Sequence, residues 1–167
     1  MGLEIDHTDF TEDEFINFSN RLRSNLQALE IVLQRPNFGE GDLSFGAELE
    51  LYIVDNQGRP LHVNQEIRDQ LNDPQLTLEL NRYNLEYNFS PCLLKDRCFS
   101  ATENEANAAM AKINACAAQW DGKVVPIGIL PTLQQSDTGY HVMTPLERFK
   151  ALTKALTEIR GGPFTIA

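Results

Sequence analysis

Two glutamates alternate with apolar residues along the segment FGAELELYIVD, residues 45–55. Side chains at positions i and i+2 of a strand share a face, so Glu48 and Glu50 lie on one face if this segment is a strand. Leu49 and Leu51 then take the opposite face and enter a core. Two carboxylates roughly 7 Å apart repel each other. Acidic pairs are also common on the solvated face of an antiparallel sheet, so this pair alone predicts no site.

A second acidic stretch, TLELNRYNLEYNFSP, covers residues 77–91 and carries Glu79 and Glu86. If the chain turns at Arg82-Tyr83, the two halves form a hairpin in which Glu79 faces Glu86, an arrangement that destabilises a sheet. If the stretch is one continuous strand, the two glutamates fall on opposite faces, and only a bulge restores a shared face. Arg82-Tyr83 lacks the Asn-Gly signal of a tight hairpin, so both alternatives stay open.

The two acidic stretches predict a cation site if their strands are neighbours in one sheet. Four carboxylates then meet on one face, with Asn81 and Asn88 as neutral oxygen donors nearby. Such a cluster either raises its pKa values or binds cations. Oxygen ligands without cysteine or histidine select hard ions, Mg²⁺ or Mn²⁺, and Mg²⁺ in proteins commonly bridges carboxylates to substrate phosphates. This chemistry is typical of phosphoryl transfer from a nucleotide.

Three helices are predicted from capping boxes that precede stripes of apolar residues with helical spacing. The boxes are Thr11 with Glu14, Ser100 with Glu103, and Thr144 with Glu147, and Pro145 follows as a favoured first helical residue. The first stripe consists of Phe15, Phe18, Leu22, Leu26, Leu29 and Leu33.

Strands are predicted between these helices, at residues 44–54, 60–63, 76–89 and 124–130. The order of elements predicts an α+β domain over residues 1–167, with a mostly antiparallel sheet and helices on one face. The last residues, PFTIA, resemble the entry to a further strand, so we expect the chain to be the N-terminal portion of something longer. An unpaired edge there would favour a homodimer.

Composition excludes several classes of function. The chain has 167 residues and a net charge of −10, which disfavours nucleic acid and anionic membranes as partners. Three cysteines without a CxxC pair predict neither a disulfide framework nor a zinc site. The N-terminus lacks the features of a signal peptide, and no apolar run reaches membrane-spanning length, so we expect a reducing cytoplasm.

Three segments together resemble the glutamate–cysteine ligase family, in particular its bacterial carboxylate–amine ligase branch. They are FGAELELYIVDNQGRPL, LELNRYNLEYNFSP and VVPIGILPTL, and the resemblance runs from about Leu43 through the third helix. It implies part of a glutamine-synthetase-like fold that uses ATP and Mg²⁺ or Mn²⁺. By motif position, the implied metal ligands are Glu48, Glu50, Glu79 and Glu86, and the implied substrate-binding residues are Arg82 and Asn88; no catalytic residue is assigned.

The activity that this resemblance implies is an ATP-dependent ligation. Glutamate is phosphorylated on its side-chain carboxylate, and the amino group of an amino acid attacks the acyl phosphate to give a γ-glutamyl amide, as in glutathione biosynthesis. Leu130 precedes Pro131 where family members often carry a Gly-x-His-Pro pattern, which leaves the amine substrate open. Family members are much longer, so we expect this chain to be inactive alone. The alternative is a non-catalytic binding or assembly module that retains the sheet.

Overall fold

The computed structural model describes residues 4–162. Within this range the chain has the predicted α+β architecture, with helices and antiparallel sheets. The helices are α1 (Glu12–Leu33), α2 (Asn64–Leu71), α3 (Cys98–Ala117) and α4 (Glu147–Arg160). The strands are β1 (Ser44–Phe45), β2 (Glu48–Asp55), β3 (Leu76–Leu78), β4 (Asn84–Asn88), β5 (Cys92–Leu93) and β6 (Gly122–Val125). The predicted strand entry at residues 163–167 lies outside the described residues.

Two compact units make up the chain. One unit is Leu43–Thr144, and the other combines residues 1–42 with residues 145–167. Among residues 4–162, the first unit contains all the strands together with α2 and α3, whereas α1 and α4 belong to the second. The single-domain prediction stays a prediction, because two compact units of one chain need not be separate domains.

The central sheet of the Leu43–Thr144 unit is antiparallel and has the strand order β3-β4-β2-β6. The short strands β1 and β5 form a separate antiparallel pair. Because β2 and β4 are the two inner strands, each has partners on both sides. The register of these two strands is therefore fixed by ladders on both sides.

The core of this unit lies on the side of the sheet that α2 and α3 cover, since α2 contacts β3 and α3 contacts β6. Leu51, Ile53 and Leu85 of the inner strands are fully buried, as is Ile67 of α2. Strict alternation along β2 and β4 sends the glutamates to the other face. The predicted α+β class with an antiparallel sheet is confirmed, and within this unit α2 and α3 pack against the sheet.

The 77–91 stretch forms a hairpin, with β3 and β4 as its arms, and the continuous-strand alternative is wrong. The register differs from the predicted one by two residues. Leu78, not Leu80, faces Leu85, and Thr77, not Glu79, faces Glu86. The chain does turn at Arg82-Tyr83, where the Asn84 amide donates to the Asn81 carbonyl at 2.9 Å. The register shifts because residues 79–80 leave the ladder after β3, and the backbone of Leu80 and Arg82 bonds to residues 144 and 142. A shift of two residues leaves each side chain on the same face of the sheet, so Glu79 is still on the side that carries Glu86.

Of the three capping boxes, only the first forms. The Thr11 hydroxyl accepts from the Glu14 amide at 3.3 Å, and the Thr11 amide donates to the Glu14 carboxylate at 2.7 Å. The prediction for Ser100 is wrong because α3 begins earlier, at the buried Cys98. Burial of this residue outweighs a cap, which contributes about 1 kcal/mol. The prediction for Thr144 is also wrong, since its hydroxyl bonds elsewhere and α4 begins at Glu147.

Three of the predicted strands differ in extent from the structure. The 44–54 strand is interrupted between β1 and β2. The 60–63 segment makes only an isolated bridge between Val54 and Pro60, and it is followed by α2, which the sequence analysis missed. The 124–130 strand ends at Val125, because Pro126 lacks the backbone donor that a ladder requires.

Helix α1 forms as predicted, yet none of its residues is buried. Its apolar stripe is left largely exposed, with Phe15 at 60% and Phe18 at 64% of full side-chain exposure. Within residues 4–162, no helix combines the length and apolar character that crossing a membrane requires.

The register of the hairpin predicts different costs for two neighbouring leucines. Leu78→Ala should lower the free energy of unfolding by about 2–4 kcal/mol, because Leu78 is 4% exposed and its truncation leaves a cavity. Leu80→Ala should cost less than about 1 kcal/mol, because Leu80 is 39% exposed. Urea denaturation measures both. The opposite ranking would restore the register in which Leu80 faces Leu85.

Candidate functional site

Three glutamates from different parts of the hairpin and its neighbour strand meet on the open face of the sheet. Glu50 on β2 lies directly opposite Glu86 on β4, and Glu79 approaches from the connection after β3. Each of these residues offers a carboxylate oxygen, and the three oxygens lie within 4.8 Å of one another. We refer to Glu50, Glu79 and Glu86 as the carboxylate cluster.

Glu86 is the member of the cluster with the most neutral donors around it. Its Oε1 accepts from the Asn88 amide at 2.6 Å and from the Thr77 hydroxyl at 3.1 Å. Thr77 is its cross-strand partner on β3, and Asn88 shares its face two residues along β4. These bonds orient the carboxylate and offset part of its charge.

The carboxylate of Glu50 is partly buried and lies among like charges. Partial burial of its carboxylate raises the pKa of Glu50 above its ordinary value of 4.5, and the charges of Glu79, Glu86 and Glu48 raise it further. A hydrogen bond with Glu86 acts in the same direction, because one shared proton relieves the repulsion of the pair. The cluster therefore favours the binding of a positive charge, either a proton or a metal cation.

Glu48 stands apart from the cluster, although the sequence analysis grouped it there. It is exposed at the start of β2, opposite Asn88. Glu48 and Asn88 line an open concavity of about 470 Å³ together with Gly46, Ala47, Phe89 and Pro91. This volume falls within the range of small-molecule sites, and the concavity adjoins the cluster through Asn88.

Arg82, predicted to bind substrate, lies in the connection between β3 and β4. Its guanidinium donates to the backbone carbonyl of His62 at 3.1 Å, and its backbone amide donates to the carbonyl of Val142 at 2.8 Å. The structure thus gives Arg82 a role in fixing this connection, and its substrate contact stays a prediction.

Glu79 is held by two buried polar residues that sequence reasoning did not connect to the site. The Thr144 hydroxyl donates to the backbone carbonyl of Glu79 at 2.6 Å, and the Asn64 amide donates to that hydroxyl at 2.9 Å. The same Asn64 amide also reaches the carbonyls of Asn81 and Asn84, each at 3.2 Å. Asn64 and Thr144 are both 0% exposed.

Sequence reasoning missed this pair because each residue has a common local explanation. Thr144 fits a capping box with Glu147, and Asn64 follows a stretch that resembles an edge strand. In sequence, Thr144 is 65 residues from Glu79 and 80 residues from Asn64. No local pattern encodes such contacts.

An aromatic group continues the cluster's face at the far end of β2. Tyr52 stacks on Tyr83 with ring centroids 5.9 Å apart and an interplanar angle of 15°. The Tyr83 hydroxyl donates to the carbonyl of Asp137 at 2.8 Å, and burial raises the pKa of Tyr83 to about 12, so it remains a donor at neutral pH. His62 packs against Tyr83. Burial lowers the pKa of His62, and the nearby charge of Arg82 lowers it further.

The donor set of the carboxylate cluster fits a hard divalent cation. It offers oxygen atoms only, from three acids at mutual distances that one ion can span. Asn88 and Thr77 engage one oxygen of Glu86 and keep that carboxylate oriented, as hydrogen bonds around metal ligands do. Mg²⁺ and Mn²⁺ match this set better than softer metals, which prefer nitrogen and sulfur.

Comparison with known proteins yields no family model, no curated protein and no solved structure that matches this chain. The resemblance to glutamate–cysteine ligases therefore stays a prediction. The interpretation of the site depends on its geometry and chemistry.

The buried hydroxyl of Thr144 predicts a measurable contribution to stability. Thr144→Val keeps the shape of the side chain but leaves the Glu79 carbonyl and one Asn64 donor direction without their partner, so it should cost about 1–3 kcal/mol. Thr102→Val is the control, because the Thr102 hydroxyl bonds to a helical carbonyl four residues earlier and should change stability by less than about 0.5 kcal/mol. Equal urea midpoints for the two variants would contradict this role of Thr144.

The raised pKa of Glu50 predicts a dependence of stability on pH. Between the ordinary value of 4.5 and the raised pKa, the folded state binds more protons than the unfolded state, so stability falls as pH rises through that window. At pH values above this window Glu50 is ionised in the folded state, and the free energy of unfolding is reduced by the full cost of that ionisation. Glu50→Gln should therefore be more stable than wild type at neutral pH and should show a flatter profile.

The control for this measurement is Glu103→Gln, which removes an exposed charge from α3. Urea midpoints from acidic to neutral pH should change in Glu50→Gln and follow wild type in Glu103→Gln. The effect is expected to be small, since Glu50 is exposed and water screens its neighbours. Identical profiles for Glu50→Gln and wild type would show that Glu50 is not under repulsion.

Proposed function

We propose that this chain is part of an ATP- and Mg²⁺-dependent carboxylate–amine ligase, resembling the glutamate–cysteine ligase family, that forms a γ-glutamyl amide through an acyl phosphate. The observation that carries the proposal is the carboxylate cluster, in which three acids from separate segments lie within 4.8 Å on one sheet face. A bound cation or a shared proton would relieve the mutual repulsion of these acids, and the raised pKa of Glu50 is in line with such an occupant.

The residues of the chain have distinct parts in this proposal. Glu50, Glu79 and Glu86 hold Mg²⁺ or Mn²⁺, and Asn88 with Thr77 orients Glu86. When bound, the metal supplies charge neutralisation for the phosphates of ATP. Glu48 lines the neighbouring concavity, which is the proposed entry side for a substrate.

The concavity is the proposed place of the substrates, glutamate and an amino-acid amine. It lies at the Glu48 end of the inner strands, and Asn88 borders both the concavity and the cluster. The Asn88 side chain can therefore respond to ligands on either side. A cytoplasmic location accompanies this proposal, because ATP and reduced thiols are present there.

Metal binding is the first test. Mg²⁺ or Mn²⁺ should stabilise wild type by about 2.7 kcal/mol at a concentration 100 times Kd, which raises Tm by roughly 5–10 °C. Glu86→Gln should lose most of this increase, whereas Glu103→Gln, a removal of equal charge outside the cluster, should retain it. Thermal unfolding with and without metal measures all three proteins. Equal shifts in wild type and Glu86→Gln would place the bound metal elsewhere.

Nucleotide binding separates the ligase from the non-catalytic module. Isothermal titration with a non-hydrolysable ATP analogue should show binding in the presence of Mn²⁺ and a large loss of affinity in Glu86→Gln. Metal binding without nucleotide binding would favour the binding module, and absence of both would favour a solvated acidic face. Formation of ADP from ATP, glutamate and an amino acid then tests the reaction itself in the longest available form of the protein.

A further inference from the structure

The second compact unit carries a feature that the proposed function does not use, the apolar stripe of α1. Its six residues are between 46% and 64% exposed, and no residue of the helix is buried. The stripe consists of Phe15, Phe18, Leu22, Leu26, Leu29 and Leu33. We propose that the stripe is a homodimer interface, on which α1 of a second copy of this chain packs in antiparallel orientation.

The spacing of the stripe suits a long helix–helix contact. Phe15, Phe18 and Leu22 recur eleven residues later as Leu26, Leu29 and Leu33. An eleven-residue repeat corresponds to about 3.67 residues per turn, close to the 3.6 of a straight helix. The stripe therefore runs nearly parallel to the helix axis for its whole length, and two straight helices can keep contact along it.

The stripe is also complementary to itself under a two-fold axis. Residues 15 and 33, and residues 22 and 26, are placed symmetrically about position 24, and the remaining pair, residues 18 and 29, is centred at 23.5. An antiparallel partner centred there sets Phe15 against Leu33 of the second copy, and Leu22 against Leu26. A two-fold interface requires this match, because the same surface must serve both copies.

Charge complementarity selects the antiparallel orientation. Glu12, Asp13 and Glu14 form the first turn of α1, and Arg35 lies one residue beyond its C-cap, Gln34. Antiparallel pairing brings the acidic turn of each copy beside Arg35 of the other, and it also places opposite helix-dipole ends together. Parallel pairing would bring the two acidic turns together, which costs free energy.

The exposed area is sufficient for a dimer. Six large apolar side chains at about half exposure present roughly 500 Å² per copy, so a pair covers about 1,000 Å², the lower bound for a specific interface. A concavity of about 710 Å³, lined by residues that include Phe10, Phe15 and Phe18, lies beside the N-terminal half of the stripe. Antiparallel pairing brings Leu29 and Leu33 of the second copy to this end.

Sedimentation equilibrium of the full chain tests the interface. Wild type should dimerise at micromolar concentration, and Leu22→Lys/Leu26→Lys should weaken dimerisation at least about thirtyfold. Ile31→Lys is the matched control. Ile31 is 62% exposed but lies about 160° around the helix from Phe15, so this variant should dimerise like wild type. Lysine is a good helix former, and circular dichroism verifies that all variants keep α1.

Cross-linking tests the orientation. Phe15→Cys mixed with Leu33→Cys should give a disulfide-linked heterodimer after mild oxidation, while either variant alone should not exceed the background of wild type. Cross-links within each single variant would indicate parallel pairing and overturn the proposal. A wild-type chain that stays monomeric at high micromolar concentration, or a dimer that Leu22→Lys/Leu26→Lys leaves intact, would overturn it as well.

Discussion

The repulsion between Glu50 and Glu86, directly opposite each other on the two inner strands, is the constraint around which the sheet is organised. Like charges in this position oppose strand pairing. The opposite sides of the same strands bury Leu51, Ile53 and Leu85 completely, and this burial holds the pair together. Each large apolar side chain contributes about 1.5–3 kcal/mol, more than an exposed charge pair costs. Burial of the core on one face of these strands thus offsets the repulsion between the acids on the other face.

The third acid of the cluster depends on different forces. Glu79 follows the last residue of β3, so its position is not determined by the ladder. The Thr144 hydroxyl and the Asn64 amide bind the backbone of this connection, and both lie in a fully buried environment where hydrogen bonds have little competition from water. A polar network of two side chains therefore completes a surface site from inside the protein.

The order of helices and strands was sufficient to predict the fold class, and alternation placed the acids of each strand opposite its apolar residues. A shared face for Glu50 and Glu86 also required β2 and β4 to be neighbours, which the sequence left as a condition and the structure provides. The pairing of β3 with β4 depended on how residues 79–83 are held, and that involves Asn64 and Thr144, which lie far away in sequence. The Thr-x-x-Glu pattern at residue 144 predicted a cap, but a buried partner for the same hydroxyl prevailed. For α1, the period of the stripe predicted a helix and contained no information on whether the chain itself would cover it.

The carboxylate cluster joins two regions that are held in different ways. Strands β2 and β4 bond to each other, whereas the connection that carries Glu79 bonds through its backbone to residues distant in sequence, among them Asn64, Val142 and Thr144. We expect the two regions to open with different free energies, which would make the intact cluster one state of a local equilibrium within a folded protein. Any occupant that needs all three acids draws on the free energy of closing that connection, so its affinity is set partly by Thr144, a residue it never touches.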